Sequence, residues 1–444
     1  MRVIFPVLLV LCLFINSSQS QNHSLVGYWQ NWNDSNCPYF PITQTNELYN
    51  VIAIAFATPV MNTTYNMQFI PETAQPTLIS QIDSLKQRGK KVIISIGGQN
   101  HPISLNDTNE RNIFVNSMMT IINTYKLDGL DLDIEGQFSI SGGTISNPVD
   151  VRIINMINAV KMMMTNFRTL YNRKMFLTLA PETANVTGGM SGYGGIWGSY
   201  LPLIYALKDS IDILHMQLYN SGSMFGIDGR IYSQGTSDFI TSQTEAIIHG
   251  FNTSGGNFPG LRQDQVAVGL PACSSAAGGG YIHPDTEKAA INYLRGVGPK
   301  PSTYTKVGTY VNLRGMMTWS INWDRVNTCH PSYQFAINYS TIFPISNNVE
   351  ETGSLISYNF KLYQNYPNPF NPETKISYSI LKTGNVKISL FNMSGQLISV
   401  LKNGNQPAGY FELVINGNNL SSGNYIYEIE YNGQKSSKIM TLVK

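Results

Sequence analysis

The sequence predicts an α/β chain: a (β/α)8 TIM barrel followed by a small all-β sandwich. Two observations predict it. From residue 25 to about 345, short β-rich runs alternate with longer helical patterns, the texture of strand–helix units closed into a barrel. Beyond that point the helical period vanishes, and short alternating strands are divided by turn signals. The 444 residues suit one large domain plus a smaller one.

The eight runs are Val26 to Trp32, Val51 to Ala57, Lys91 to Gly98, Leu127 to Glu135, Met175 to Glu182, Ile213 to Asn220, Val266 to Ala272 and Gly315 to Asn322. Several are nearly continuous apolar stretches, as strands buried on both faces should be. Helix candidates lie between them. In Asn109 to Lys126 the residues Ile113, Phe114, Met118, Ile121, Ile122 and Tyr125 fall on one helical stripe. Asp150 to Arg173 and Asp285 to Arg295 read similarly. The expected organisation is a signal peptide at 1–20, a (β/α)8 barrel at 21–345, a linker at 346–360 and a β-sandwich at 361–444. Arg2, the apolar stretch Val3 to Ile15 and the small-x-small site Ser18-Gln19-Ser20 carry the signal-peptide reading. That stretch is too short to span a bilayer as a helix.

Apolar residues make up 42% of the chain and aromatics 11%, enough for a packed core. Charged residues are only 13% and the net charge is +2. No basic run supports nucleic-acid or membrane-surface binding. Removal of Cys12 with the signal peptide leaves Cys37, Cys273 and Cys329, which lack the close spacing of a zinc site. One disulfide or buried free thiols are both open, and the pairing is not legible. No metal or cofactor is expected, and the chain is expected to act as a monomer.

The fourth run, Leu127-Asp128-Gly129-Leu130-Asp131-Leu132-Asp133-Ile134-Glu135-Gly136, carries the chemistry. Side chains alternate across a strand. Asp131, Asp133 and Glu135 therefore face the barrel interior, while Leu130, Leu132 and Ile134 face the helices. Glu135 falls at the strand's C-terminal end, where barrel active sites sit. Neighbouring inward carboxylates cannot all ionise cheaply, so at least one should hold a proton near neutral pH. A protonated Glu there is a ready general acid. Asp128 is out of phase and reads as structural. His215 shares the inward parity of Gln217 and Tyr219 but lies deeper and reads as core. Trp29 and Trp32 are balanced between core and substrate rim.

Asp128 to Glu135 resembles the signature of family 18 glycoside hydrolases. Ser95-Ile96-Gly97-Gly98, Met216-Gln217-Leu218-Tyr219-Asn220 and Trp319 resemble the family's motifs on the third, sixth and eighth strands. Ala180-Pro181-Glu182-Thr183, Tyr193-Gly194-Gly195-Ile196-Trp197-Gly198 and Tyr219-Asn220-Ser221-Gly222-Ser223 are most similar to its bacterial chitinase D branch. The resemblance implies a retaining, substrate-assisted mechanism on 2-acetamido sugars. Glu135 would be the general acid and base. Asp133 would orient the acetamido group, Asp131 would share a proton with Asp133, and Tyr219 would hold the acetamido oxygen. Tyr28, Gly98, Glu182, Gln217, Asn220 and Trp319 would bind substrate. The implied partner is chitin or chitooligosaccharide; an endo-β-N-acetylglucosaminidase shares the motif, and a chitin-binding lectin shares the barrel.

Residues 361–444 resemble the C-terminal sorting domain of the bacterial type IX secretion system. The likeness lies in Asn365-Tyr366-Pro367-Asn368-Pro369-Phe370-Asn371-Pro372, in Asn419-Leu420-Ser421-Ser422-Gly423 before Tyr425, and in the terminal Lys438 to Lys444. It implies an engagement with secretion machinery and a destination outside the cell or on its surface. An Ig-like carbohydrate-binding or spacer module is the alternative.

Overall fold

The computed structural model describes residues 23–136, 138–326, 330–344, 360–380, 383–406 and 409–444. The segment expected to be a signal peptide, Cys329 and residues 346–359 of the expected linker lie outside these.

Eight parallel strands build the first domain: β1 (Ser24–Gln30), β2 (Val51–Pro59), β3 (Lys91–Gly97), β4 (Gly129–Asp133), β5 (Phe176–Leu179), β6 (Ile213–Leu214), β7 (Ala267–Pro271) and β8 (Gly315–Trp319). Each pairs with its neighbour in order, and β8 returns to pair with β1. Bridges Leu214↔Val266 and Gln217↔Gly269 join β6 to β7 and close the ring. The helices are α1 (Gln75–Gln87), α2 (Thr108–Thr124), α3 (Val151–Tyr171), α4 (Leu201–Leu207), α5 (Ser237–His249), α6 (Pro284–Arg295), α7 (Ile321–Arg325) and α8 (Gln334–Ile342).

Local sequence accounts for their ends. The Asp107 carboxylate accepts from the Glu110 N–H and starts α2. Gly296, at φ 76°, ends α6 in a left-handed cap. The stripe foreseen on α2 is its buried face, through Phe114, Met118, Ile121 and Ile122. One strand–helix unit is incomplete. Between β1 and β2 the described chain forms only a 3-10 turn, Ile42–Gln44. Pro38 and Pro41 fall in that connection, and proline cannot continue a helix interior.

The apolar core has two layers. Leu130, Leu132 and Ile134 are buried between strands and helices. Val26, Tyr28, Ala53, Ala55, Ile93, Tyr219 and Met317 fill the barrel itself. The alternation read from the fourth run is thus the division between these layers. Cys37 is a buried free thiol and Cys273 is disulfide-bonded, so both states left open by the sequence occur.

The second domain is a sandwich of antiparallel sheets. Strands β9 (Lys361–Leu362), β10 (Glu373–Ile380) and β13 (Gly409–Asn416) form one, in the order β9-β10-β13. Strands β11 (Gly384–Asn392), β12 (Leu397–Gln406), β14 (Gly423–Tyr431) and β15 (Gln434–Leu442) form the other, in the order β12-β11-β14-β15. Its core holds Phe370, Ile376, Tyr378, Ile388, Tyr427, Ile429 and Met440. Asn365, buried, donates its N–H to the Tyr427 hydroxyl at 2.7 Å, and its amide donates to Thr374 and the Pro367 carbonyl. No helix among the described residues is long and apolar enough to cross a membrane.

Candidate active site

The three acids of the fourth run converge at the C-terminal mouth of the barrel, but in different states of enclosure. Asp131 is fully buried. The hydroxyls of Tyr28 and Ser95 each donate to its Oδ2 at 2.6 Å, and Thr178 donates to Oδ1. His215 Nε2 lies 3.6 Å from the same carboxylate. That imidazole is wholly buried and has no hydrogen-bond partner among the described residues; burial pulls its pKa down, with Asp131 opposing, and so favours the neutral ring. His215 is therefore part of the barrel interior, as its depth implied.

Asp133 is buried one turn of the pleat higher. Its Oδ1 accepts from Gln217 Nε2 at 2.8 Å. The same nitrogen donates to Glu135 Oε1 at 3.2 Å and to the Ala180 carbonyl at 3.1 Å. Among the described residues no hydrogen bond joins Asp131 to Asp133; the two interact through charge. Burial holds Asp133 well above the ordinary carboxylate range, and Glu135 and Asp131 push it further while Gln217 opposes. Glu135 is half-buried beyond the end of β4, and burial raises it too, with Gln217 opposing and Glu182 adding. Glu182, just past β5, is raised by its own burial. Burial thus shifts these carboxyl groups toward their protonated forms relative to water, the direction that general-acid chemistry needs.

Just before Glu135, at the level of Asp133, β3 and β4 press together. The Gly98 N–H donates to the Asp133 carbonyl at 2.6 Å. Gly97 sits at φ 101°, where a Cβ would stand 2.0 Å from that carbonyl oxygen. Only glycine fits. The Tyr200 hydroxyl accepts the Ile134 N–H at 2.8 Å and supports the chain from the other side.

Across the mouth lies an aromatic floor. Trp319 packs at 5.6 Å from Tyr28 and is stacked on Phe56 at 5.8 Å; Trp32 stacks on Phe56 at 6.2 Å. Trp319, Phe56 and Trp32 are only half-buried, so a ligand can reach them. Trp29 is fully buried, its indole N–H given to the Phe40 carbonyl, so the tryptophan pair divides between core and rim. Tyr219 is buried beside the acids, and burial together with Asp133 holds its phenol protonated. Asn220 is exposed at the rim, its N–H donated to the Gly279 carbonyl. Asp128 lies outside the site: it takes the Val92 N–H and pairs with Arg173 and Lys86.

The acids, Tyr28, Gln217, Tyr219, Glu182 and Trp319 thus gather at one place. Sequence reasoning missed Phe56, Ser95, Thr178 and Tyr200. Phe56 breaks the alternation of β2 because the register shifts between Ile54 and Ala57. Ser95 shares the parity of Gly97, a signal that was available.

Residues 24–295 match the model of glycosyl hydrolases family 18. The chain belongs to that family. Residues 364–443 match the secretion system C-terminal sorting domain. Among curated relatives, Chitinase D of Niallia circulans is 42% identical over 319 residues, covering 70% of this chain and 60% of the relative. Chitinase Chi52 of Paenibacillus xylanexedens is 41% identical over 309 residues, covering 68% of this chain and 58% of the relative. The chain thus spans about 60% of the length of these curated relatives. The crystal structure of a family GH18 chitinase from Chromobacterium violaceum superposes with a TM-score of 0.64 at 34% identity, over 72% of this chain and 83% of that one. The matched range, residues 24–295, contains β4 and the acids Asp131, Asp133 and Glu135 at its C-terminal end.

Proposed function

We propose that the protein is an exported chitinase that hydrolyses β-1,4 N-acetylglucosamine linkages with retention, the substrate's own acetamido group acting as nucleophile. The observation that carries this reading is the single amide of Gln217 held between Asp133 and Glu135, two carboxyls that burial keeps prone to protonation.

Glu135 donates its proton to the glycosidic oxygen as the bond to the anomeric carbon breaks. The acetamido carbonyl oxygen attacks that carbon and closes an oxazolinium ring. Asp133 accepts a hydrogen bond from the acetamido N–H and balances the positive charge that develops. Asp131, fixed by its hydroxyl donors, sets the charge available to Asp133. The Tyr219 hydroxyl steadies the acetamido oxygen, and Trp319 stacks beneath the ring. Water then opens the ring, giving a proton to Glu135 and restoring the acid. Tyr28, Gly98, Glu182, Gln217 and Asn220 complete the substrate cradle. In this reading the chain comprises a signal peptide at 1–20, a catalytic barrel at 21–345, a linker at 346–360 and a sorting domain at 361–444, and acts as a monomer.

The test is hydrolysis of chitooligosaccharides and of a high-mannose glycoprotein by the purified chain and its Glu135→Gln variant. Cleavage of the oligosaccharides that disappears in the variant is expected. Full activity in Glu135→Gln would remove the acid assignment, and cleavage of the glycoprotein alone would replace chitin with N-glycans as substrate.

A further inference from the structure

Strand β4 ends in a broken rung. It pairs in parallel with β5 from Gly129↔Phe176 to Leu132↔Leu179. The Phe176 N–H donates to the Asp128 carbonyl at 3.0 Å, and the Ala180 N–H to the Leu132 carbonyl at 2.9 Å. Rungs of a parallel ladder are evenly spaced, so a residue that donates to one position receives from the position two further along. The next rung would therefore run from the Ile134 N–H to the Ala180 carbonyl. Among the described residues that rung is absent. The Ile134 N–H goes instead to the Tyr200 hydroxyl at 2.8 Å, and the Ala180 carbonyl receives Gln217 Nε2 at 3.1 Å.

The two substitutes come from different layers. Gln217 reaches in from the barrel interior. Tyr200 belongs to the core between strands and helices, fully buried, its ring 5.2 Å from that of Phe138. The chain around it sets its place. Tyr200 caps the start of α4: its own N–H donates to the Asn185 carbonyl and its carbonyl takes the Ile204 N–H, both at 2.9 Å. The Asn185 amide also donates to the neighbouring Ser199 hydroxyl at 2.8 Å. Burial first, and the charge of Asp133 second, hold the phenol of Tyr200 protonated.

One peptide plane, between Asp133 and Ile134, takes the consequence. Its carbonyl accepts the Gly98 N–H at 2.6 Å, and its N–H is given to Tyr200. Both polar ends are tied, one to the segment after β3 and one to Tyr200, and neither to β5. A peptide unit is planar, so fixing its two ends fixes the direction in which the chain continues to Glu135. Without the hydroxyl, the buried Ile134 N–H must close the missing rung or stay unpaired. Closing it would extend β4 along β5 toward Glu135 and compete with Gln217 for the Ala180 carbonyl. We propose that Tyr200 is a positioning residue for the reaction: its hydroxyl stands in for the β5 carbonyl and sets the peptide that joins Asp133 to Glu135. The proposal rests on the chitinase reading and adds to it a residue that works through the main chain.

Tyr200→Phe removes the hydroxyl and keeps the ring. On chitohexaose we expect kcat to fall about tenfold with KM within about twofold of wild type, because a displaced acid costs turnover rather than ground-state binding. Tyr49→Phe is the control. It loses an equally buried hydroxyl bond, to Asp324 at 2.6 Å, just ahead of the start of β2. It should lower the urea midpoint and leave kcat unchanged. A Tyr200→Phe variant that loses stability but keeps kcat, or that raises KM alone, would overturn the assignment. Hydrogen exchange at the Ile134 amide, read by mass spectrometry, needs no turnover. It should be about tenfold or more faster in Tyr200→Phe, and an unchanged rate refutes the hold. Should Tyr200→Phe fail to fold, wild-type exchange decides. An Ile134 amide as slow as that of Leu132 supports Tyr200 as its acceptor, and one as fast as that of exposed Gly136 refutes it. A wild-type protein inactive on chitohexaose would refute the chitinase reading, with the exchange comparison still deciding whether Tyr200 holds Ile134.

Discussion

Glu287 offers the sharpest quantitative test of the electrostatics of this barrel. It lies on α6, only 3% exposed, and among the described residues takes one hydrogen bond, from the Asn338 amide of α8 to Oε2 at 2.9 Å. Its Oε1 has no partner among the described residues. Burial pushes its pKa up from 4.5 to about 8, with Asn338 opposing and buried Asp324 adding. The folded pKa lies above the unfolded one. The folded state therefore loses stability, relative to acid pH, as pH rises from 4.5 to about 8, and the loss is complete above that. At pH 7 the folded chain carries a proton that the unfolded chain has shed, at a cost of about 3 kcal/mol. Glu287→Gln keeps the shape and an acceptor for Asn338 and needs no proton. We expect the variant to be more stable than wild type by up to about 3 kcal/mol at pH 7 and nearly equal to it at pH 4. Urea unfolding at the two pH values measures this. Equal differences at both pH values, or a variant less stable at pH 7, would show that Glu287 is an ionised and compensated partner.

The active site yields further expectations. The negative charge of Glu182 raises Glu135, so Glu182→Gln should move the alkaline limb of kcat/KM to lower pH; a pH–rate profile whose limb stays put would contradict the coupling. Tyr28→Phe removes one of the hydroxyl donors to Asp131 and should cost about 1.5–3 kcal/mol of unfolding free energy together with turnover, read by urea melts and chitooligosaccharide assays. Gly97→Ala would set a Cβ 2.0 Å from the Asp133 carbonyl at a left-handed φ, and should destabilise the barrel by about 3 kcal/mol or more. A variant that melted like wild type would mean that β3 and β4 separate there at little cost.

The carboxylate row was legible because it rests on one local rule. A strand has a side-chain period of two, so acids and aliphatics that alternate must part between interior and helix layer. Asp131 and Asp133 on one side and Leu130 and Leu132 on the other obey it. The same rule placed His215, Gln217 and Tyr219 on one face, although the ladder of β6 itself ends at Leu214 and the inward path continues as single bridges at Gln217. The rule fails where its premise fails. In β2 the register shift after Ile54 turns Phe56 toward the barrel mouth, and nothing in the local sequence announces it. Helical texture likewise suggested a helix after every strand, while the proline-bearing connection after β1 makes only a 3-10 turn.

Gln217 marks the deeper limit of local reading. Its inward direction follows from parity, but its position as a shared donor does not. That depends on where β6 stands relative to β4, with β5 between them, and on the closing bridge from Gln217 to Gly269. The amide nitrogen carries two hydrogens and meets three acceptors, Asp133 Oδ1, Glu135 Oε1 and the Ala180 carbonyl. It cannot serve all three fully. A proton on either carboxyl weakens that group's claim on the amide and strengthens the other's. The arrangement thus links the protonation of Glu135 to the hold on Asp133, the two groups to which the proposed mechanism gives the acid and the orienting role. Chemistry of that kind belongs to the register between strands, and only the closed barrel brings it together.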